Sequence, residues 1–367
     1  MGNTTIGCCF RVALLGAGLM IAAMLPSPGV LHGEELVLVE SGKSPYRIVI
    51  PQDAIPSVRF AGEELQRFVA EMTGVTLPLV TDDQPRVEPE IVLASTPRLT
   101  DLNVAADVPS LGMEGYVLKT VGPNLVIVGG APRGTLYGVY DLLEEKWGCR
   151  WFTPDCSRIP KHERLTLPAL DEKRIPVLEY REPFTYDCFD GDWCARNRMN
   201  SSTGRLEARH GGKIRFGAGF FVHTFERLVP PDKYFDEHPE YFSLVKGKRL
   251  KEHSQLCCTN EDVIRISIEK TCEIFRNHPE VTITAIGPND GRGFCDCPEC
   301  KRLDDENGGR SGSFFYMVNR IAEGVKKEFP DHHLISLAYL DYARPPTKLK
   351  VDPYIIIQLC TDSHAWK

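Results

Sequence analysis

The stretch "NDGRGFCDCPECKR" (289–302) places three cysteines, Cys295, Cys297 and Cys300, within six residues. Three thiolates in one short turn suit a tetrahedral cation such as zinc, provided that a fourth ligand approaches. Cys257, in "QLCCTN", is the predicted fourth ligand. If the helix that follows it packs antiparallel to the strand that leads to Asn289, the far ends of the two elements meet at this turn. Four such ligands would make the metal structural, because a catalytic zinc keeps an open position.

Two other interpretations of these cysteines stay open. A disulfide is typical of an oxidising location, although the Cys-x-Cys spacing suits bridge geometry poorly. Cys297-Pro298-Glu299-Cys300 has the spacing of a redox pair, but no thioredoxin-like pattern surrounds it. Elsewhere, Cys149 with Cys156 and Cys188 with Cys194 are candidate bridges.

The N-terminus has the pattern of a secretory signal. Arg11 precedes an apolar run of fourteen residues (12–25), and "PSPGVLHG" follows. We therefore expect residues 1–33 to be cleaved and the mature chain to be exported to the periplasm, cell surface or medium. The run is short for a bilayer span, so stable membrane insertion is not expected after cleavage, and a retained anchor is the alternative. Of the 13 cysteines, eleven would remain, an odd count that indicates a free thiol, a metal site or a missing partner.

The composition is that of an ordinary globular protein. Hydrophobic residues make up 42% of the chain and charged residues 25%, and the net charge is −7. This acidic balance argues against a nucleic-acid partner, whose backbone selects basic surfaces.

The elements that must position the cysteines fall into two predicted regions. Residues 34–172 read as a small α+β domain, with a helix over "SVRFAGEELQRFVAEMTG", a hairpin turning at 122–124, and a second helix over "GTLYGVYDLLEEKWG". Residues 176–367 alternate strands and helices. The strands are predicted at "LEYREPFTYD", "FGAGFFVHTF", "VTITAIG", "HLISLAYLDY" and "PYIIIQLC".

Near-continuous apolar strands that alternate with helices predict a parallel sheet covered by helices. The fold class is therefore α/β, and a (β/α)₈ barrel is the leading architecture, with a doubly wound sheet as the alternative. A complete barrel typically needs about 250 residues, more than this region offers. We therefore expect a barrel that is truncated at its C-terminal side.

Specific segments carry a resemblance to known families. "FAGEELQRFVAEMTG" and "RGTLYGVYDLLEEKWGCRWF" (133–152) resemble the small N-terminal domain that precedes the catalytic barrel in β-N-acetylhexosaminidases and α-glucuronidases. The second region resembles a bacterial family, domain of unknown function 4838, some members of which are assigned to glycoside hydrolase family 163 as endo-β-N-acetylglucosaminidases. The matching segments are "WCARNRMN" (193–200), "VHTFERLVPPDKYFDEHPEYFSLVKGKR" (222–249), "QLCCTNEDV" (255–263), "NDGRGFCDCPEC" (289–300) and "LAYLDYARPP" (337–346).

The resemblance gives the polar residues at strand ends a chemical meaning. Asp290 follows the strand "VTITAIG", and catalytic groups of barrels gather at the carboxyl ends of strands. Asp290 is the predicted catalytic carboxyl, although Asn-Asp-Gly is also ordinary turn chemistry. His223 is predicted to assist proton transfer or bond sugar hydroxyls, and a buried histidine bonded to backbone is the alternative.

Other polar and aromatic residues are predicted to bind the sugar by stacking or hydrogen bonding. They are Trp193, Arg196, Asn197, Asn200, Asn289 and Tyr339. Helix capping explains the asparagines of "WCARNRMN" equally well. Asp341 and Asp362 follow later strands, and the decisive carboxylate pair is expected to lie partly beyond Lys367.

These patterns predict an exported glycoside hydrolase-like protein. The resemblance implies glycans that contain β-linked N-acetylglucosamine or uronic acid. The cysteine spacing predicts a structural zinc, and no cofactor is expected for catalysis. A non-catalytic glycan-binding protein with a cysteine–metal knuckle is the alternative function. A thiol oxidoreductase that uses Cys297 and Cys300 is the third.

Overall fold

The computed structural model describes residues 35–252 and 254–360 of the chain. The predicted signal segment 1–33 and the candidate Asp362 lie outside the described residues. Within those ranges, no helix combines the length and the apolar character needed to cross a membrane.

The first region is a mixed sheet flanked by helices. Its strands are β1 (Leu36–Glu40), β2 (Arg47–Ile50), β3 (Leu79–Thr81), β4 (Glu90–Leu93), β5 (Tyr116–Val121), β6 (Asn124–Gly129), β7 (Arg150–Thr153), β8 (Cys156–Arg158), β9 (Arg164–Leu167) and β10 (Asp171–Arg174). Its helices are α1 (Pro56–Thr73), α2 (Arg98–Asp101) and α3 (Gly134–Asp141). The main sheet has six strands in the order β10-β5-β6-β4-β2-β3. β3, β2, β4 and β6 pair in parallel, and β5 pairs antiparallel with both β6 and β10, so that β5 alone runs in the opposite direction within this sheet.

The sequence patterns of this region are confirmed at α1 and at the hairpin. α1 begins with Pro56, whose fixed φ suits a first helical turn. It ends at Gly74, which has a left-handed φ of 77°. Its apolar face is buried, as the spacing predicts, through Phe60, Leu65, Phe68 and Met72. β5 and β6 pair antiparallel around a turn at 122–123, within the predicted 122–124. The second predicted helix is α3 continued by a π-helical turn over Leu142–Lys146.

The second region combines short helices, two long helices and a parallel sheet. Its helices are α4 (Gly191–Arg196), α5 (Phe225–Leu228), α6 (Pro231–Tyr234), α7 (Glu261–Asn277), α8 (Pro298–Asn307) and α9 (Ser311–Val325). Its strands are β11 (Leu244–Val245), β12 (Lys248–Arg249), β13 (Ile283–Ala285), β14 (His333–Ala338) and β15 (Ile355–Leu359). β13, β14 and β15 form the parallel sheet in that order. The mixed α/β class is therefore confirmed, whereas a closed eight-stranded barrel is not, because the parallel sheet of the described residues has three strands.

Two predicted strands are wrong. "LEYREPFTYD" is irregular and passes into a 3-10 helix at Tyr186–Phe189. Its backbone is bonded by a side chain instead of a neighbouring strand, since the Arg181 N–H donates to the Asn200 side chain at 2.9 Å. "FGAGFFVHTF" keeps one parallel bridge, Phe216 to Ile283. The chain then turns at Ala218, whose φ of 49° is incompatible with a strand.

The described residues contain two large hydrophobic cores. The first takes in the main sheet, α1 and α3, and also Cys194, Ala195 and Leu206 from beyond β10. The second takes in α7, α9 and the four cysteines 257, 295, 297 and 300. The domain bounds 34–172 and 176–367 stay a prediction.

Candidate functional site

A cleft of about 660 Å³ opens at the carboxyl end of β13. The segment around Thr224 and the segment that follows β13 are joined there by hydrogen bonds. The N–H groups of Thr224 and Phe225 donate to the Gly287 carbonyl at 3.0 and 3.1 Å, and the Gly287 N–H donates to the Thr224 hydroxyl at 3.0 Å. A side chain at 287 would not fit, since its Cβ would lie 2.1 Å from the Val222 carbonyl oxygen. This close approach places His223 beside the β13 end. The polar residues lining the cleft include His223, Glu226, Asp232, Glu252, Asn289 and Asp290.

His223 is held by the backbone in a defined orientation. Its Nδ1 lies 2.7 Å from the Pro288 carbonyl oxygen. Because a carbonyl only accepts, Nδ1 carries a proton, and Nε2 is left as the ring nitrogen available to a ligand. The His223 ring lies 6.4 Å from the Tyr339 ring, so Tyr339 borders the histidine. Tyr339 itself is not among the residues that line the cleft.

A residue with positive φ lies directly beside each of these two residues. Val222 has a φ of 52° and Leu340 a φ of 45°. A β-branched residue at positive φ is a conformational outlier that the surrounding structure must enforce, and such outliers gather at functional sites. The strain therefore supports a functional reading of the His223–Tyr339 surroundings.

Asn289 positions the cleft and has little capacity left for a ligand. Its Nδ2 donates to the Ser254 carbonyl at 2.8 Å, and its Oδ1 accepts from the Glu226 N–H at 3.0 Å. Its own backbone is clamped by the Gln255 amide, which accepts from the Asn289 N–H at 2.8 Å and donates to the Asn289 carbonyl at 2.9 Å. Its predicted role in sugar binding finds no support in these contacts.

Asp290, by contrast, is exposed. Its carboxylate makes no hydrogen bond or ion pair with another residue in the described ranges. The arrangement adds Glu226, which the sequence analysis missed. Its carboxylate is exposed in the same cleft, and its backbone is bonded to Asn289, the neighbour of Asp290. "HTFE" places Glu226 three residues after His223, and this spacing was the available signal.

The cleft also contains two cations, but both are engaged. Arg227 donates to the backbone carbonyls of Ala218 and Gly219. Lys251 pairs with Asp236 at 3.1 Å. The four carboxylates of the lining, Glu226, Asp232, Glu252 and Asp290, therefore outnumber the cations.

The four predicted metal ligands lie together beneath the cleft. The sulfurs of Cys257, Cys295, Cys297 and Cys300 all lie within 4.8 Å of one another and are buried. The Cys257 sulfur is 3.7 Å from that of Cys297 and 4.0 Å from that of Cys300. Four sulfurs around a tetrahedral zinc with bonds of about 2.3 Å would be separated by about 3.8 Å. A disulfide requires about 2.05 Å, and each described cysteine is a free thiol. The donor set and its spacing therefore fit zinc.

The surroundings of the sulfurs stabilise negative charge. The Leu244 N–H donates to the Cys295 sulfur at 3.3 Å, and the Arg249 guanidinium lies 3.8 Å from it. Hydrogen bonds from the Cys295 and Cys300 thiols hold the pKa of Cys257 well below its usual value. The same bonds to Cys257 raise the pKa of Cys295 to about 11 and raise that of Cys300. The complete burial of Cys300 opposes the redox interpretation, because reactive thiols are partly exposed.

Four of the predicted sugar ligands lie elsewhere, against the first core. The Trp193 indole donates to the Trp151 carbonyl at 3.0 Å, and the Asn197 amide donates to the same oxygen at 3.3 Å. Arg196 pairs with the buried Glu64 at 2.9 Å. Asn200 is fully buried, and its amide bonds Arg181, Glu114 and Glu179. The structure does not bring these four residues to the cleft.

The candidate disulfides outside the cluster are not formed. Cys149 is buried and Cys156 exposed, and both are free thiols. Cys188 and Cys194 are also free, and the Cys194 thiol donates to the Cys188 carbonyl at 2.8 Å. Burial raises the pKa of Cys149 and of Cys194 to about 12 in each case.

Two family models match the chain. One, described as "Domain of unknown function (DUF4838)", matches residues 151–364, and the other, described as "Glycosyl hydrolase family 67 N-terminus", matches residues 37–142. A curated protein named "Probable alpha-glucuronidase A", from Aspergillus terreus, is 35% identical over 83 residues. That alignment covers 22% of this chain and 10% of the relative.

Solved structures of glycosidases are similar at low identity. A family GH115 4-O-methyl-alpha-glucuronidase gives a TM-score of 0.45 at 14% identity, over 88% of this chain and 45% of that one. The chitobiase of Flavobacterium johnsoniae gives a TM-score of 0.43 at 14% identity, over 89% of this chain and 53% of that one. The chain thus spans about half of each of these structures.

Proposed function

The chain belongs to the DUF4838 family, and from that premise we propose a glycoside hydrolase-like protein that binds a glycan in the strand-end cleft. The observation that carries the proposal is the pair of exposed carboxylates, Asp290 and Glu226, joined through Asn289. The matching glycosyl hydrolase family 67 N-terminus supports a carbohydrate-active protein. We propose Asp290 and Glu226 as candidates for the carboxylate pair, and the expectation that part of this pair lies beyond Lys367 stays a prediction.

Two carboxyl groups on one cleft meet the chemical need of glycosidic cleavage. One protonates the leaving oxygen, and the other acts as base or nucleophile, or orients the acetamide of the substrate. The Glu226 N–H bonds the side chain of Asn289, the residue before Asp290, so the backbones that carry the two carboxylates are held together. His223 presents Nε2 to the same space and is placed to bond a sugar hydroxyl.

The charge of the cleft favours a neutral glycan over a uronic acid. The carboxylates of the lining outnumber its cations, and both cations already have partners. A uronate would meet repulsion without a free cation to pair with. We therefore infer a substrate with β-linked N-acetylglucosamine, even though the curated relative is named a glucuronidase.

The test is an assay of the purified chain on aryl N-acetylglucosaminides, aryl glucuronides and N-glycans. We expect cleavage of the N-acetylglucosamine substrates, and a fall in kcat of about 10²- to 10⁴-fold in Asp290→Asn and in Glu226→Gln. Glu280→Gln is the matched control, because this exposed carboxylate lies outside the cleft. Selective cleavage of the glucuronide would contradict the substrate class.

Binding without cleavage would point to the alternative, a non-catalytic glycan-binding protein. In that case calorimetry with N,N'-diacetylchitobiose should give saturable binding that Asp290→Asn weakens. If the chain neither binds nor cleaves these probes, the cleft is not a glycan site.

We also propose that the four cysteines hold a structural zinc ion. The support is the closed set of four buried sulfurs at tetrahedral spacing. Elemental analysis should find one zinc per chain in the wild type and in Cys258→Ser. The ion should be absent in Cys257→Ser, because Cys258 is equally buried but outside the cluster. Absence of zinc after incubation with zinc salt would overturn this assignment.

Two further proposals concern architecture and location. The parallel order β13-β14-β15, with the cleft at the strand ends, supports membership of a (β/α)₈-type sheet. The signal-like pattern of residues 1–33 supports export. N-terminal sequencing of protein recovered from the periplasm or medium tests export, and an intact first residue would contradict it.

A further inference from the structure

The segment 254–257 touches the cleft on one side and the cysteine cluster on the other. On the cleft side, the Gln255 amide makes both of its bonds to the backbone of one residue, through the N–H and the carbonyl of Asn289. Gln255 is 2% exposed, so these bonds are shielded from water. The Ser254 carbonyl adds a third bond to the Asn289 side chain at 2.8 Å.

On the other side, the same segment ends in a cluster sulfur. Cys257 follows Gln255 by two residues, and its N–H donates to the Tyr241 carbonyl at 2.8 Å. The segment that continues from Tyr241 carries the Leu244 N–H, which donates to the Cys295 sulfur. The Ser243 N–H donates to the Gln255 carbonyl at 2.9 Å. Segments 241–244 and 254–257 therefore form one unit anchored at two of the four sulfurs.

Asn289 connects these two segments to the residues that carry both carboxylates. Its Oδ1 holds the Glu226 N–H, and its backbone leads directly into Asp290. The chain from Asp290 returns to the cluster at Cys295 within five residues. Each carboxylate is thus connected to the sulfurs through backbone that a metal ion would fix.

We propose that Gln255 is a positioning residue that couples the cysteine cluster to the cleft, so that metal occupancy sets the order and ligand affinity of the Asp290–Glu226 pair. The effect on ligand affinity rests on the proposed function, whereas the effect on the order of the two residues rests on the contacts alone. Without the metal, Cys257 and Cys295 are no longer held together, and the Gln255 clamp on Asn289 loosens. Because binding linkage is reciprocal, a glycan in the cleft must tighten zinc binding by the same factor.

Two amide protons report on the clamp directly. The Asn289 N–H donates to Gln255, and the Glu226 N–H donates to Asn289. Hydrogen–deuterium exchange with residue-resolving mass spectrometry should show both amides exchanging about tenfold faster or more after zinc is removed from the full chain with a chelator. The amides of α1, which lie in the first core, should not change. Unchanged exchange at Asn289 and Glu226 would overturn the coupling.

Gln255→Met removes the two hydrogen bonds to the Asn289 backbone and leaves the four cysteines unchanged. We expect this variant to keep one zinc per chain while both amides exchange as fast as in the stripped wild type. Gln66→Met is the matched control, since the Gln66 amide bonds the Leu77 carbonyl at 2.6 Å in the first region. A slow Asn289 amide in Gln255→Met would contradict the assigned role of this glutamine.

Ligand affinity is measured separately, so that the two proposals fail differently. With N,N'-diacetylchitobiose as probe, zinc removal and Gln255→Met should each weaken binding by about fivefold or more. Equal affinity with and without zinc would overturn the coupling. If the probe binds no form of the protein, the proposed glycan function fails. The exchange of the two amides still tests whether the metal orders Asn289 and Glu226.

Discussion

The surroundings of α4 and the strand-end cleft contain the same kinds of side chain, but their hydrogen-bond partners differ. Near α4, Arg196 is paired with the buried Glu64, and Asn200 has three protein partners. In the cleft, Asp290 is exposed and makes no hydrogen bond to another described residue. A buried charge must be paired because its desolvation is costly. Polar groups paired in this way stabilise the fold, whereas an exposed carboxylate in a cleft is available to a ligand.

Arg196→Met should have the largest effect on the paired groups near α4. It leaves the Glu64 carboxylate, 3% exposed, without its buried guanidinium partner and with only the exposed guanidinium of Arg67. We expect a loss of about 3–5 kcal/mol in the free energy of unfolding, measured by urea denaturation. Arg67→Met is the control, because Arg67 pairs with the same carboxylate at 3.3 Å but is solvent-exposed, and its loss should cost less than about 1 kcal/mol. Equal effects of the two variants would contradict the distinction.

Asn200→Ala should have an intermediate effect on stability and none on the cleft. The substitution leaves the Arg181 N–H and the Glu179 carbonyl without their partner in a fully buried position. We expect a cost of about 1–3 kcal/mol in the same denaturation experiment. If Asn200→Ala instead weakened binding of N,N'-diacetylchitobiose at unchanged stability, the sequence-based prediction of a sugar ligand would regain support.

Trp193→Phe should have a smaller effect. The indole N–H is lost, but the Trp151 carbonyl keeps the Asn197 amide as a donor. The expected cost is about 1 kcal/mol, with activity on N-acetylglucosaminides unchanged. A variant that folds with full stability but loses activity would show that Trp193 stacks on the sugar.

Acid titration gives the smallest expected difference. The hydrogen bond from the His210 Nε2, at 2.8 Å, lowers the pKa of Asp192. A carboxyl whose pKa is lowered on folding contributes stability above its unfolded pKa of about 3.9, and this contribution is lost as the pH falls through the folded pKa. The denaturation midpoint of the wild type should therefore fall more steeply below about pH 4 than that of Asp192→Asn. Asp290→Asn, which removes no ion pair, should follow the wild type.

The sequence predicted the elements whose patterns are local. α1 follows from apolar spacing and Gly74, and β13 to β15 follow from apolar runs. The meeting of Cys257 with the other three cysteines was also predicted, on the condition that the helix after Cys257 packs antiparallel to the strand that leads to Asn289.

The sequence did not predict features that depend on long-range contacts. The strand at "LEYREPFTYD" fails because Asn200 bonds Arg181 across 19 positions. The position of α4 against the first core was also not predicted, since the partner of Arg196 lies 132 positions away at Glu64. Glu226 was missed because its nearness to Asp290 depends on Asn289, which binds the Glu226 backbone across 63 positions. No short-range pattern encodes such pairings.

The cysteine cluster lies where two helices begin. α8 starts directly after Cys297, and α7 starts after its N-cap Asn260, three residues beyond Cys257. Each helix N-terminus carries about half a positive elementary charge. Four thiolates around a divalent cation would leave a net charge of about −2 inside the second core, and the two N-termini together with Arg249 would offset most of it. The main chain would thus supply about half of the compensating charge, and the Arg249 guanidinium the other half.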